Sequence, residues 1–116
     1  PVTADPDWTV EALMNLIKNG IEHSPPGGAV HCTCADGALY AEVCIRDEGA
    51  GFAPADLPRL FDRFYRGAGA APGSTGIGLA IARELLQRQG GVLRAENHPE
   101  GGGVFRVRFY PGFPRP

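Results

Sequence analysis

The sequence predicts an α+β fold: a two-layer sandwich with helices packed on one face of a mixed, mainly antiparallel sheet. Three observations predict it. A helical apolar stripe lies near the start, two pairs of short alternating runs read as hairpins, and a second helical segment sits between those pairs.

The first helix opens at Asp5-Pro6-Asp7. Asp5 suits a cap, Pro6 the first helical position, and Asp7 complements the dipole. Val10, Leu13, Met14, Leu16, Ile17 and Ile21 form its stripe, and Ser24-Pro25-Pro26-Gly27-Gly28 ends it near His23. Runs 29–36 and 38–46 flank Asp36-Gly37, a strong hairpin signal. With a two-residue turn, Cys34 faces Leu39, Cys32 faces Ala41 and Val30 faces Val43. The apolar face then carries Val30, Cys32, Cys34, Leu39, Val43 and Ile45. By period two, Asp47 falls on that same face just past the strand, and an acid aimed at a core needs a partner. Short helical pieces are expected over 54–66, a glycine- and alanine-rich mobile stretch over 66–74, and a helix from about Thr75 to Gln89 that ends at Gly90-Gly91. Strands at about 92–97 and 103–110 close the fold, and 111–116 reads as a flexible tail.

Composition bounds the function. A chain of 116 residues makes one domain, 1–116, with one core. A net charge of −2 gives no broad basic field for nucleic acid or an anionic membrane, so an anionic ligand needs a local site. Three cysteines with one C-x-C give neither a disulfide framework nor finger-type zinc spacing. No apolar stretch approaches the roughly 20 residues of a membrane span, and no signal peptide is visible. A cytoplasmic setting is expected, with a longer parent free to be anchored in the inner membrane.

Three segments carry chemistry. Asn15 and Asn19 are four apart, so they share a helix face beside the Pro-Gly loop. An amide oxygen is a hard ligand of the kind Mg²⁺ accepts while sharing itself with substrate phosphates. A solvated polar face is the plain alternative. Asp47-Glu48-Gly49-Ala50-Gly51 follows a strand: a glycine-rich turn, or an acceptor for an exocyclic amino group with glycines that admit a flat base. Gly73-Ser-Thr-Gly76-Ile-Gly78-Leu79 opens a helix, where unpaired N–H groups and the dipole favour an anion. It is neither a Walker loop, which needs Gly-Lys-Ser/Thr, nor a Rossmann turn, which follows a strand.

Taken in this order, the three segments resemble the N, G1 and G2 boxes of the ATPase superfamily of gyrase, the large heat-shock chaperones, mismatch-repair enzymes and histidine kinases. Leu57-Pro-Arg-Leu-Phe61-Asp-Arg-Phe64-Tyr65-Arg66-Gly67 looks like the F box of sensor histidine kinases. The resemblance spans roughly residues 5 to 110 and implies a Bergerat-type ATP-binding fold. It implies that Asn19 binds Mg²⁺ and Asn15 lies beside the phosphates of ATP. Asp47 would read adenine, with Gly49 and Gly51 shaping the base pocket. Thr75, Gly76, Ile77, Gly78 and Leu79 would cradle the phosphates. Phe61 and Phe64 would anchor a lid whose mobile part is residues 66–74. An arginine among Arg59, Arg63 and Arg66 would meet the γ-phosphate, although a solvated face explains at least two of them equally well.

Some positions depart from the pattern. Gly20 stands where alanine is usual, and Glu22 where many members carry a cation; Glu22 is expected to point outward. His23 reads as helix-end packing. Hydrolysing members place a glutamate where this chain has Asn15, and an amide cannot act as a base. No histidine here is followed by an acid, so the resemblance implies an acceptor on a separate dimerisation and phosphotransfer domain, with a response regulator downstream. It also implies an upstream stretch of the same domain, with a strand pairing near Val2-Thr3. A serine kinase of the anti-sigma-factor type and a degenerate ATP-binding regulatory module are the competing readings.

Overall fold

The structure is a computed structural model of the chain, and it describes residues 6–65 and 77–110. The expected mobile stretch, Arg66, Thr75, Gly76, the tail and the pairing near Val2-Thr3 lie outside the described residues. Helix α1 (Pro6–His23) is followed by strands β1 (His31–Asp36) and β2 (Ala41–Arg46), a 3-10 turn (Leu57–Arg59), helix α2 (Gly78–Gln87), and strands β3 (Val92–Asn97) and β4 (Gly103–Phe109). The sheet order is β1-β2-β4-β3, and all three pairings are antiparallel. The mixed character expected from sequence is thus not seen among the described strands.

The core lies between the helices and one face of the sheet. Ala12 and Leu16 of α1 and Ala82 and Leu86 of α2 meet Ile45 of β2 and Phe105, Val107 and Phe109 of β4. A buried leucine of this kind contributes about 1.5–3 kcal/mol. The opposite face carries ions. Glu42 accepts from Arg106 and Arg108, each at 2.7 Å, and Arg106 also donates to Glu96 at 2.9 Å. The Arg108 contact, foremost among several, holds the Glu42 carboxyl below the usual carboxylate range. Helix α2 ends as Gly90-Gly91 predicts: Gly90 takes φ +76, and the Gly91 N–H reaches back to Leu86 O at 2.9 Å.

The first hairpin differs from expectation. Asp36 pairs with Ala41, Cys34 with Val43 and Cys32 with Ile45, so the loop holds four residues rather than two. The slip is even-numbered, so every side chain keeps its predicted face. Tyr40 explains the choice. Its ring packs edge-on against Tyr110 at 5.7 Å and beneath the Arg108 guanidinium at 4.3 Å, contacts that seat it at the mouth of β2. Leu39 is left exposed, as is all of β1 at the sheet edge. Cys32 and Cys34 therefore belong to the rim, not the core.

Candidate functional site

Asp47 ends β2 pointing inward, as alternation requires, and it is 2% exposed. Its partners are backbone. One carboxylate oxygen, Oδ1, accepts the N–H groups of Gly49 at 2.8 Å and Gly103 at 3.1 Å. The other, Oδ2, has no hydrogen-bond partner among the described residues. An acid in a nearly dry place is thus held by two donors with one oxygen to spare.

The glycines around Asp47 have reasons internal to the fold. A β-carbon on Gly49 would collide with the His23 carbonyl, so this glycine lets the end of α1 lie on the loop. Gly51 has φ +85, and a β-carbon there would come within 2.7 Å of Asn97 Oδ1. Asn97 itself clamps the loop: its Oδ1 accepts from Phe52 N at 2.7 Å, and its Nδ2 donates to Phe52 O at 2.9 Å. No sequence signal singled out Asn97. Phe52 packs at a tilt against Phe105 at 5.4 Å and against His23 at 6.2 Å, which bears out His23 as helix-end packing.

Helix α1 brings the segments together. Gly20 is buried against Val30 and the β-carbon of Asp47. The residue before it, the half-buried Asn19, presents a buried Oδ1 with no hydrogen-bond partner among the described residues. One turn before Asn19, Asn15 Oδ1 lies 3.8 Å from where a β-carbon of Gly78 would stand, which sets the helix face against the start of α2. The Ile81 N–H bonds to Ile77 O at 2.9 Å, so the amides of Gly78, Leu79 and Ala80 precede the first helical bond of α2. No side chain caps this end. Glu22 is exposed.

The segment 57–65 divides its roles differently from expectation. Phe61 packs on Phe105 at 6.1 Å and anchors the segment to the core. Phe64 does not: it is 65% exposed and sits at φ +67, so the chain turns left-handed there and carries the ring away from the core. Tyr65 takes the second anchor. Its hydroxyl donates to the buried Asp56 carboxylate, a bond that raises the phenol above its usual range. The Arg59 guanidinium lies 4.5 Å over the Tyr65 ring and also meets Asp62, so Arg59 is engaged locally, while Arg63 is exposed.

Comparison with known proteins agrees with this arrangement. Residues 4–112 match the family described as histidine kinase-, DNA gyrase B-, and HSP90-like ATPases. The chain is 41% identical over 102 residues to the sensor protein SphS of Synechococcus elongatus, covering 79% of this chain and 24% of that protein. It is 39% identical over 120 residues to the signal transduction histidine-protein kinase/phosphatase MprB of a Mycobacterium species, covering 97% of this chain and 23% of that protein. The chain thus spans about a quarter of the length of the curated relatives it matches. A solved structure of a mycobacterial sensor histidine kinase MprB superposes with a TM-score of 0.85 at 30% identity, covering 94% of this chain and 76% of that one. With its fold, its three boxes and these relatives in agreement, the chain belongs to the histidine kinase-, DNA gyrase B-, and HSP90-like ATPase family, on the side of the sensor histidine kinases.

Proposed function

We infer that this chain binds Mg·ATP and presents the γ-phosphate to a histidine on a separate dimerisation domain, as the catalytic domain of a two-component kinase that feeds a response regulator on the cytoplasmic side. The observation that carries the reading is the buried, unpartnered Oδ1 of Asn19, on the same helix face as Asn15 and next in the chain to the glycine packed on Asp47. A buried amide oxygen without a partner is costly unless a ligand supplies one. Its chemistry suits a hard divalent cation that also holds phosphate oxygens.

The rest follows from the chain's own groups. Asp47 Oδ2 accepts from the adenine amino group while Oδ1 stays tied to Gly49 and Gly103. Gly49 and Gly51 keep the loop thin. The amides of Ile77, Gly78 and Leu79, with those of Thr75 and Gly76 before them, donate to the phosphates at the positive end of α2. Asn15 lines the phosphate side and cannot activate water, which reserves the γ-phosphate for another nucleophile. Mg²⁺ held by Asn19 would neutralise charge on the phosphate oxygens during transfer. Phe61 fixes the near end of the segment leading to Arg66. Phe64, left exposed there, is assigned to contact with nucleotide or partner rather than to packing.

Calorimetry of Mg·ATP binding to wild type and to Asn19→Ala tests the reading. Loss of a ligand side chain should weaken binding on the order of tenfold or more, with circular dichroism unchanged. Equal affinity would remove Asn19 from the site.

A further inference from the structure

Between Asp47 and Gly49 sits Glu48, a residue with no part in the chemistry above. It is nonetheless held at three points. Its N–H donates to Ser24 Oγ at 3.1 Å, its Oε1 accepts the Ala29 N–H at 3.1 Å, and its Oε2 meets His31 Nε2 at 2.8 Å. These bonds tie the Pro-Gly loop after α1 and the first residue of β1 to the loop that carries Asp47. The peptide between Glu48 and Gly49 supplies the N–H that holds Asp47 Oδ1. A change at His31 therefore reaches the base-reading carboxylate through two hydrogen bonds and one peptide unit.

We propose that His31 and Glu48 are positioning residues for the nucleotide site, and that protonation of His31 tightens ATP binding by fixing the loop that orients Asp47. The proposal rests on the ATP-binding reading above. Histidine is the side chain whose charge ordinarily changes between about pH 5 and 8. An imidazolium donates to Glu48 whichever way the ring is flipped, whereas a neutral ring donates from Nε2 in only one tautomer. Glu48 is the anion of the pair, since the His31 contact and then the Ala29 N–H hold its carboxyl below the usual range. Other charges bear on the pair. Arg46 is registered opposite His31 and repels an imidazolium, but its guanidinium is turned to Gly101 O at 3.0 Å and to His98 Nε2 at 3.4 Å. Asp47, one residue away, is engaged by backbone donors. His23 faces Phe52, on the inner side of the loop.

The pair is half-exposed, at 54% for His31 and 43% for Glu48, so the effect is modest. Exposed pairs of this kind correspond to a change of about two- to fivefold in an equilibrium constant. The test is calorimetric ATP affinity, at saturating Mg²⁺, between pH 6 and 8 for wild type, His31→Ala, His31→Lys and Glu48→Gln, with thermal midpoints measured alongside. Titration of ATP itself affects all four proteins alike, so the differences between them carry the result. Wild type should lose about two- to fivefold more affinity from pH 6 to pH 8 than His31→Ala does. His31→Lys, which keeps a donor cation at both pH values, should hold the tight affinity throughout, and Glu48→Gln should behave like His31→Ala. The thermal midpoints should stay together. Parallel pH profiles in wild type and His31→Ala would overturn this proposal while leaving the ATP site standing. Affinity that falls only in step with the thermal midpoint would overturn it too. Failure of wild type to bind ATP at any pH would overturn both readings.

Discussion

Asp47 commits one oxygen to the fold and, on the proposed reading, leaves the other for the ligand. Oδ1 is spent on Gly49 and Gly103, and the β-carbon lies against Gly20 of α1, so the carboxylate is fixed before any nucleotide arrives. That arrangement makes a selectivity prediction. The adenine amino group can donate to Oδ2, whereas guanine presents a carbonyl oxygen at the same place. Two acceptors would then face each other in a nearly dry site, at a cost of about 1–3 kcal/mol or more. ATP should therefore bind at least about fivefold more tightly than GTP in a competition assay, and Asp47→Asn should narrow the gap. Comparable affinities in wild type would remove Asp47 from base reading. Much of this residue was legible in the sequence. Strict alternation through Ile45 placed it inward, and its position before Gly-x-Gly pointed to a built loop. Its partners were not legible, because both donors are backbone amides and one is Gly103, the first residue of β4 and distant in sequence. Asn97 and Glu48 were hidden for the same reason: each acts through contacts distant in sequence that no local periodicity records.

At the scale of elements, the helices and strands fell where pattern put them, and the junctions did not. Period two determines which face a residue occupies, but it does not distinguish registers that differ by an even step. The β1–β2 loop was accordingly set by the Tyr40 contacts to Tyr110 and Arg108, which the sequence does not announce. The edge position of β1 was equally invisible, and it turned two predicted core cysteines into rim residues. Phe64 shows a third limit: F-box spacing suggested two aromatic anchors, yet a left-handed turn gave the second anchor to Tyr65. Gly20 offers a test at this scale. It lies inside α1, where glycine costs about 1 kcal/mol relative to alanine. An added β-carbon would stand 3.3 Å from Val30 Cγ2, a tight contact but one with a half-buried side chain just before the edge strand. We expect Gly20→Ala to stabilise the domain by up to about 1 kcal/mol in urea unfolding. Destabilisation would mean that Val30 and Asp47 cannot yield, and that the glycine is required by the packing of α1 on the site.

At the scale of the molecule, a two-layer sandwich has gathered one end of α1, the end of β2 and the start of α2 at a single edge. On the proposed reading, the parts assembled there hold and orient a nucleotide. The described residues offer no carboxylate at Asn15 to activate water, and His23, His31 and His98 are each engaged elsewhere, with Phe52, Glu48 and Arg46 respectively. Phosphoryl transfer depends mainly on positioning and charge stabilisation, so such a domain is competent as half of an enzyme and nearly idle alone. Labelling with γ-labelled ATP and Mg²⁺, with and without the dimerisation domain of the parent kinase, tests this most directly. The account predicts no appreciable label on this chain alone, and an acid-labile, base-stable phosphohistidine on the partner once it is added. Strong label on the isolated chain, or acid-stable phosphate on a serine, would contradict it.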